Sequence, residues 1–376
     1  MTTPVEAVRM PDPYPYYAAL VAERPLAYDE RAGAWVACDA TAVGAVLRAG
    51  QLRVRPPEEP VPAGIRGTAA GEVFGDLVRM TDGELQRRLK QVVTQALGAV
   101  DAQEAARSAA GHARARIAEG FDRNLLEDLM FSVPARTVAS LCGLDQGRGA
   151  EAARLVGDFV QCIPASATPP QQAAAATAAA RLQDLLGPAL EKEEGGLLAA
   201  LVAAARSHSW TGTAPLLANA VGFLSQTYDA TAGLIGNTLL ALARGERMPA
   251  GPDGADAFVT EVARHDAPIQ NTRRFAAAPF RHGDAEILPG QQVLVVLAAA
   301  NRDPAANPDP ARFRPDRTDP VVLTFGAGAH ACPGRTLAVA VTRAVVRELL
   351  DAGFDPAALP AEPAYRPLAN ARIPVL

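Results

Sequence analysis

The chain has 376 residues and a formal net charge of −5 at pH 7. This length allows a large core, and a composition rich in alanine, leucine and valine, with only 5% aromatic residues, favours helices. No run of like charges is present, which argues against a nucleic-acid-binding arm and against a membrane-surface patch.

The N-terminal sequence does not resemble a secretory signal, because no apolar core follows a basic start. The longest strongly apolar stretch, residues 293–300, is too short to cross a bilayer. We therefore expect a soluble, cytoplasmic protein with no membrane or nucleic-acid partner. Its four cysteines are widely spaced, and this spacing predicts thiols rather than a disulfide framework.

The first part of the chain, up to about residue 80, contains few regular elements. A short helix is predicted over residues 14–23, and a β-like piece over residues 34–37. Residues 55–75 are rich in proline and glycine, which predicts a long loop. A loop of that length within a domain is usually functional or mobile.

Residues 82–264 are predicted to be almost wholly helical, because apolar side chains recur at helical spacing. Prolines in a turn at 164–170 break the helices before an alanine-rich helical run at 171–181. Residues 215–244 form one uninterrupted helical pattern, apolar on most sides. A helix of this kind is expected to run through the middle of the molecule.

The last part of the chain has a different character. A turn at 287–290 precedes a β-like run at 292–297, and residues 301–317 are rich in Pro, Asp and Arg without periodicity. A final helix is predicted over 333–350. No linker divides the chain, so we expect a single domain over residues 1–376 that is mainly α with small β-sheets.

A glycine-rich loop precedes the final helix and reads Phe-Gly-Ala-Gly-Ala-His-Ala-Cys-Pro-Gly over residues 325–334. Its glycines allow a tight turn and a close approach to a flat ligand. A helix start after Cys332, with Pro333 in its first turn, favours a thiolate. Two other interpretations stay open: an ordinary buried thiol, or zinc bound by His330 and Cys332, for which no second ligand pair lies nearby.

This loop resembles the haem-binding loop of the cytochromes P-450. The resemblance covers nearly the whole chain and implies that family's fold, a helical bundle around a long central helix, with haem b as cofactor. It implies that Cys332 is the thiolate ligand of the iron and that His330 contacts a haem propionate. Phe325 and Gly326 belong to the same cofactor-binding loop.

Other segments match the family pattern position by position. Glu261 and Arg264 match its Glu-x-x-Arg motif, which pairs with an arginine of a later meander; alone, such a pair is usually solvated. Arg274 matches an arginine that binds a propionate. Gln86 and Lys90 match positions that face the propionates, and they share one helix face because they lie four residues apart.

The long helix departs from the family's oxygen-activation motif. Its acid is kept as Asp229, but its threonine is replaced by Ala230, and Thr231 cannot substitute because one residue along a helix turns a side chain by about 100°. The resemblance implies that the threonine normally holds a water while the acid delivers protons. A substrate hydroxyl or amide, or the side chains of Gln226 or Tyr228, could replace it; Tyr228 could equally be a packed aromatic.

The resemblance implies a haem-thiolate monooxygenase acting on a small organic substrate, polar or carrier-bound, in natural-product biosynthesis. A separate ferredoxin with its reductase is expected to supply electrons, since the four cysteines lack the spacing of an iron–sulfur site. Non-hydroxylating chemistry (coupling, nitration, peroxygenase activity or isomerisation) is the alternative. A non-catalytic scaffold is disfavoured, because a scaffold does not need a thiolate.

Overall fold

The computed structural model describes residues 2–164, 166–193, 195–360 and 362–376. Its helices within these ranges are α1 Pro4–Ala7, α2 Tyr14–Glu23, α3 Ala40–Arg48, α4 Ala69–Asp76, α5 Gly83–Gly98, α6 Ala102–Ala118, α7 Leu125–Glu127, α8 Val133–Leu141, α9 Gln146–Val160, α10 Pro169–Glu191, α11 Gly196–Ser207, α12 Ala214–Ala243, α13 Pro252–His265, α14 Leu297–Asn301 and α15 Arg335–Asp351. Its strands are β1 Leu26–Asp29, β2 Ala34–Ala37, β3 Leu52–Arg53, β4 Thr272–Ala276, β5 Phe280–His282, β6 Ala285–Ile287 and β7 Gln292–Val295. None of the helices in the described ranges is both long and apolar enough for a transmembrane span.

One compact unit comprises the described residues of 1–57, 233–332 and 354–376. Its five-stranded sheet has the order β1-β2-β7-β4-β3, in which β2 and β7 are parallel and the other pairs antiparallel. Val293 and Val295 of β7 belong to one apolar cluster, whereas Leu294 belongs to a second cluster. Because successive residues of a strand point to opposite faces, both faces of β7 are buried, which explains its continuous apolar sequence.

The second compact unit comprises the described residues of 58–232 and 333–353 and is helical. Helix α6 packs against α15 and α8, and α9 packs against α10. Ala105, Ala109 and Ala113 of α6 are fully buried and four residues apart, so they form one face of the helix. Small side chains on such a face let neighbouring helices approach closely, and this accounts for the high alanine content.

The prediction of one long helix over 215–244 is confirmed: α12 begins and ends one residue earlier than predicted. The predicted helix at 14–23 and strand at 34–37 agree with α2 and β2. Pro169 and Pro170 form the first turn of α10. Within the predicted turn at 164–170, Ala165 lies outside the described residues.

The prediction of an unbroken loop over residues 55–75 is wrong, because this segment contains a 3-10 turn at Ala63–Ile65 and most of helix α4. Thr68 caps α4, its hydroxyl oxygen accepting a hydrogen bond from the Gly71 amide across 3.3 Å. A Cβ at Gly71 would lie 2.2 Å from the Ile65 carbonyl oxygen. The glycine therefore permits a close approach inside the helix rather than ending it.

The described residues are mainly helical with two small sheets, as the fold-class prediction states. The bounds of two elements near the C-terminus differ from the predicted ones. Leu297 begins α14 instead of continuing the β-like run, and the last helix begins at Arg335 rather than at Pro333. The single domain over residues 1–376 stays a prediction.

Candidate active site

The glycine-rich loop around Cys332 is built from two 3-10 turns, Leu323–Phe325 and Gly328–His330. The Cys332 amide donates to the Phe325 carbonyl across 2.7 Å and thereby closes the loop. Gly326 adopts a φ of 69°, in the left-handed region that favours glycine. The loop therefore needs the glycine in the position where the sequence has it.

Gly328 allows a close approach to another part of the backbone. Its φ is 66°, and a Cβ at this position would lie 2.8 Å from the Leu47 carbonyl oxygen and 3.1 Å from Arg48 Cα. The close approach is thus to the end of α3, and not only to a ligand. Backbone packing against α3 fixes the loop that carries Cys332.

Cys332 differs from the other three cysteines in its exposure. Cys332 is exposed, whereas Cys38, Cys142 and Cys162 are buried, and none of the four forms a disulfide. Burial raises the pKa of the Cys38 and Cys142 thiols to about 12 and that of Cys162 to about 11. Since a metal is bound by a thiolate, the three buried thiols are poor ligands and Cys332 is the suitable one.

The helix that follows Cys332 begins later than predicted. Gly334 is the N-cap of α15 and Arg335 its first residue, so Pro333 precedes the helix instead of occupying its first turn. The start of the helix nevertheless follows Cys332 by three residues. The zinc interpretation finds no support, because the described residues contain no cluster of three or more His, Cys, Asp or Glu side chains suited to a metal.

Two buried asparagines hold the chain that leads into the loop. Asn301 accepts from the Leu323 amide across 2.6 Å and donates to the Thr324 hydroxyl across 2.7 Å. Asn307 donates to the Val321 carbonyl and accepts from its amide. Such side chains replace the missing partners of buried backbone groups. This role of the two asparagines was not predicted from the sequence.

The Glu261–Arg264 pair lies in the interior and is not a solvated surface pair. Arg264 donates twice to the Glu261 carboxylate, each time across 2.7 Å, and both side chains are at most 2% exposed. Arg264 also donates to the carbonyls of Pro310 and Arg312. The expected meander arginine is Arg317, whose Nε lies 3.2 Å from Glu261 Oε1.

Arg274 lies on β4 with its side chain directed to the interior, since the residue is only 5% exposed. Its Nη1 donates to the Arg273 carbonyl across 2.8 Å, while Arg273 itself is exposed, as predicted. A buried guanidinium suits a carboxylate partner, with which it can form charge-assisted hydrogen bonds. Arg274 thus has the burial and the chemistry expected of a propionate ligand.

Helix α5 carries the two other predicted cofactor-binding residues. Gln86 is 3% exposed and Lys90 is half-buried, on the same face of the helix, whereas the neighbouring Arg87 and Arg88 are exposed. This burial separates Gln86 and Lys90 from the solvated charges of α5. Their role at the propionates stays a prediction.

The polar side chains before Asp229 on α12 bind back to their own helix. Gln226 Nε2 donates to the Gly222 carbonyl across 3.1 Å, and Thr227 Oγ1 donates to the Phe223 carbonyl across 2.8 Å. Such back-bonding satisfies polar side chains locally and can bend a helix. Gln226 and Thr227 are therefore already hydrogen-bonded within α12.

Tyr228 packs as an aromatic within the helical unit. Its ring centroid lies 5.0 Å from that of Phe131, and a Cβ at Gly157 would lie 2.7 Å from the Tyr228 hydroxyl. This contact supports the packed-aromatic interpretation of Tyr228. Ala230 is half-buried and Thr231 is 2% exposed, so these neighbours occupy different surroundings on the helix.

Known proteins resemble both the sequence and the structure. The sequence model described as Cytochrome P450 matches residues 255–352. A beta-dihydromenaquinone-9 omega-hydroxylase of Mycobacterium tuberculosis H37Rv is 25% identical over 374 residues, covering 96% of this chain and 74% of the relative.

Two crystal structures show the same fold. CalO2 superposes with a TM-score of 0.85 at 24% identity, and the match covers 99% of this chain and 96% of the CalO2 chain. P450BioI, solved in complex with an acyl carrier protein ligated to hexadec-9Z-enoic acid, has a TM-score of 0.79 at 20% identity and covers 96% of each chain. The matching sequence model, the relatives and the solved structures together support membership of the cytochrome P450 family of oxidoreductases, whose members bind haem b through a cysteine thiolate.

Proposed function

We propose that this protein is a haem-thiolate monooxygenase that oxidises a small organic substrate of natural-product biosynthesis and whose iron ligand is Cys332. One observation carries the assignment of the ligand: Cys332 is exposed on a closed glycine-rich loop, while burial raises the pKa of the other three thiols. The donor set thus fits haem. When bound, a thiolate-ligated haem supplies the electron density that favours cleavage of the O–O bond.

The chain's own residues would orient the cofactor and handle protons. Cys332 would bind the iron through its thiolate, and Arg274 and His330 would hold the propionates by charge-assisted hydrogen bonds. Gln86 and Lys90 would add donors from α5. Asp229 delivers protons, and the fixed loop around Phe325 and Gly326 holds the sulfur in place.

The missing threonine points to help from the substrate. Ala230 has no hydrogen-bonding group, and the hydroxyl of Thr227 already donates to its own helix. A hydroxyl or amide of the substrate beside Ala230 would then hold the water that the threonine holds in relatives. The side-chain carbonyl of Gln226 is a second candidate for this role, since its amide nitrogen is the group that binds Gly222.

The absence of a hydroxyl at Ala230 also favours a second candidate function. Coupling, nitration, peroxygenase activity or isomerisation would depend less on a proton relay at this position. Product analysis in labelled dioxygen separates a monooxygenase from coupling, isomerisation or a peroxide-driven reaction, because only the monooxygenase places one atom of that dioxygen in a hydroxylated product.

Two kinds of protein partner are proposed. A ferredoxin with its reductase would deliver electrons, and the arginines Arg335 and Arg343 could meet its acidic surface. A carrier-bound substrate is supported by the acyl carrier protein seen on P450BioI, a protein of the same fold. Electron transfer from a purified ferredoxin, and substrate binding with and without a carrier, would test these two proposals separately.

The iron ligand is tested by the spectrum of the reduced protein with carbon monoxide. We expect the strongly red-shifted Soret band of thiolate ligation in the wild type and its loss in Cys332→Ser. Cys162→Ser is the matched control, because its thiol donates to the Phe159 carbonyl and a hydroxyl can do the same. A histidine-type spectrum in the wild type would overturn the assignment.

A further inference from the structure

The last turn of α13 is joined to the loop that carries Cys332 through one buried hydroxyl. The last four carbonyls of a helix have no partner within the helix. Ala263 is in this position, since the Ala267 amide, four residues further on, donates to the Tyr14 hydroxyl instead. The Thr324 hydroxyl donates to the Ala263 carbonyl across 2.6 Å. Thr324 therefore supplies the hydrogen bond that the helix itself cannot make.

Asn301 fixes the direction of this hydrogen bond. A backbone amide can only donate, so the group that lies 2.6 Å from the Leu323 nitrogen is the side-chain oxygen of Asn301. The side-chain nitrogen then faces the Thr324 hydroxyl at 2.7 Å and donates to it. Because a hydroxyl has one proton, Thr324 accepts from Asn301 and donates to Ala263. Asn301 is 0% and Thr324 8% exposed, so water does not replace a lost hydrogen bond here.

The turn held in this way lies next to the group that binds the Cys332 backbone. Leu323, Thr324 and Phe325 form one 3-10 turn. Asn301 binds the amide of its first residue, and α13 binds the hydroxyl of its second. The carbonyl of its third residue, Phe325, accepts from the Cys332 amide across 2.7 Å. The position of the Cys332 backbone thus depends on where α13 holds Thr324.

We propose that Asn301 and Thr324 are positioning residues of Cys332. The hydrogen-bonded chain from the Asn301 side chain through the Thr324 hydroxyl to the Ala263 carbonyl fixes the backbone that carries the sulfur. This inference rests on the proposed function, in which Cys332 binds the iron. Neither side chain touches the reacting atoms or moves a proton. Their role is to keep the loop from shifting, so that the sulfur stays within bonding distance of the metal.

Two pairs of substitutions isolate the hydroxyl. Thr324→Ser keeps the hydroxyl and loses the methyl, whereas Thr324→Ala loses both, so the difference between these variants reports the hydroxyl alone. Thr342 provides the matched control pair, because it is fully buried and its hydroxyl oxygen has no hydrogen-bond partner among the described residues. Thr342→Ser and Thr342→Ala should therefore behave alike.

The first measurement is the carbon monoxide spectrum of the reduced, haem-loaded proteins, each in urea at half of its own unfolding midpoint. This choice of concentration removes the effect of a general loss of stability. We expect Thr324→Ala to raise the ratio of haem without the thiolate band to haem with it by about fivefold or more, the factor that one lost buried hydrogen bond is worth. Thr324→Ser should stay close to the wild type. Equal ratios in Thr324→Ala and Thr324→Ser would overturn the role of the hydroxyl.

The second measurement is amide hydrogen exchange of the haem-loaded proteins, followed in peptides that cover residues 323–332. The amides of Leu323 and Cys332 donate within the structure described here. We expect their exchange to be several-fold faster in Thr324→Ala than in Thr324→Ser, while peptides of α6 stay unchanged. Equal exchange over residues 323–332 would overturn the proposal. If Thr324→Ala retains no haem, Thr324→Val, which removes the hydroxyl and keeps the volume, takes its place in both measurements.

The Cys332→Ser spectrum separates this inference from the proposed function. A wild type without the thiolate band, or a Cys332→Ser variant that keeps it, refutes the proposed function. A thiolate band that depends on Cys332, together with equal behaviour of Thr324→Ala and Thr324→Ser, refutes only the positioning role.

Discussion

Arg372 donates to Asp266 across 3.0 Å, from Nε to Oδ1, and both side chains are buried. The same guanidinium donates to the carbonyls of Val8, Met10 and Pro11, while Tyr14 donates to Asp266. One ion pair therefore joins the N-terminal segment, the end of α13 and the C-terminal segment.

Asp266 makes stability depend on pH. Burial alone would raise the pKa of its carboxyl, but Arg372, Arg244 and the Tyr14 hydroxyl outweigh it, so the pKa lies below the ordinary value of 3.8. A lowered pKa stabilises the fold above pH 3.8, and this stabilisation is lost as the pH falls through the pKa of the folded state. We expect the urea midpoint of the wild type to fall as the pH is lowered from 5 towards the acid limit. Asp266→Asn should lower the free energy of unfolding by about 3–5 kcal/mol at neutral pH, and its urea midpoint should fall less steeply with acid.

Arg264→Met should cost about 3–5 kcal/mol, because it leaves the buried Glu261 carboxylate with one partner fewer. We expect a lower urea midpoint and less haem per purified chain. Arg281→Met is the control: Arg281 pairs with Glu286 at the same 2.7 Å, but both side chains are exposed, so its loss should cost at most about 1 kcal/mol. Equal costs for the two variants would contradict the structural role of Arg264.

Gly328→Ala should destabilise the loop by about 1–3 kcal/mol, because φ is positive and the new Cβ meets the Leu47 carbonyl. Loss of haem on gel filtration, together with a lower urea midpoint, is the expected result. Gly111→Ala in α6, where no atom lies within 4 Å of the new Cβ, should instead stabilise by about 0.5–1 kcal/mol. A neutral Gly328→Ala would show that the loop does not depend on this approach.

Ala230→Thr tests help from the substrate. If a substrate group occupies the space beside Ala230, the added hydroxyl and methyl compete with it, and turnover should fall by about tenfold, or about 1.4 kcal/mol, with more peroxide released. The turnover of Ala230→Ser, which adds the hydroxyl without the methyl, should fall less than that of Ala230→Thr. A sharp rise in turnover with no gain in peroxide would rule out substrate assistance.

Regular periodicity explains what could be predicted of the fold. Helix α12 was located to within one residue at each end, because its apolar pattern is unbroken over 30 residues. Helix α4 was missed because Gly71 and Gly75 suggest a loop, and the reason for Gly71, the nearby Ile65 carbonyl, is visible only in three dimensions. Pro333 was misplaced because a proline fits both before a helix and in its first turn.

The candidate site was predictable where one short segment carries it, as in the Cys332 loop. The side chains that hold the surrounding backbone in place could not be predicted, because they join residues far apart in sequence. Asn301 binds Leu323, Arg317 binds Glu261, and Asn219 binds Val78. No local pattern distinguishes these side chains from other polar residues of the chain.

The contrast between one exposed and three buried sulfurs has a practical consequence. A maleimide applied to the native protein should modify one thiol per chain, and that thiol is the proposed iron ligand. Cofactor and reagent would then compete for the same atom, so the labelled fraction of a preparation counts the molecules that lack haem. The same exposure makes haem-free chains liable to cross-link through oxidation during storage, which loading with haem before purification should prevent.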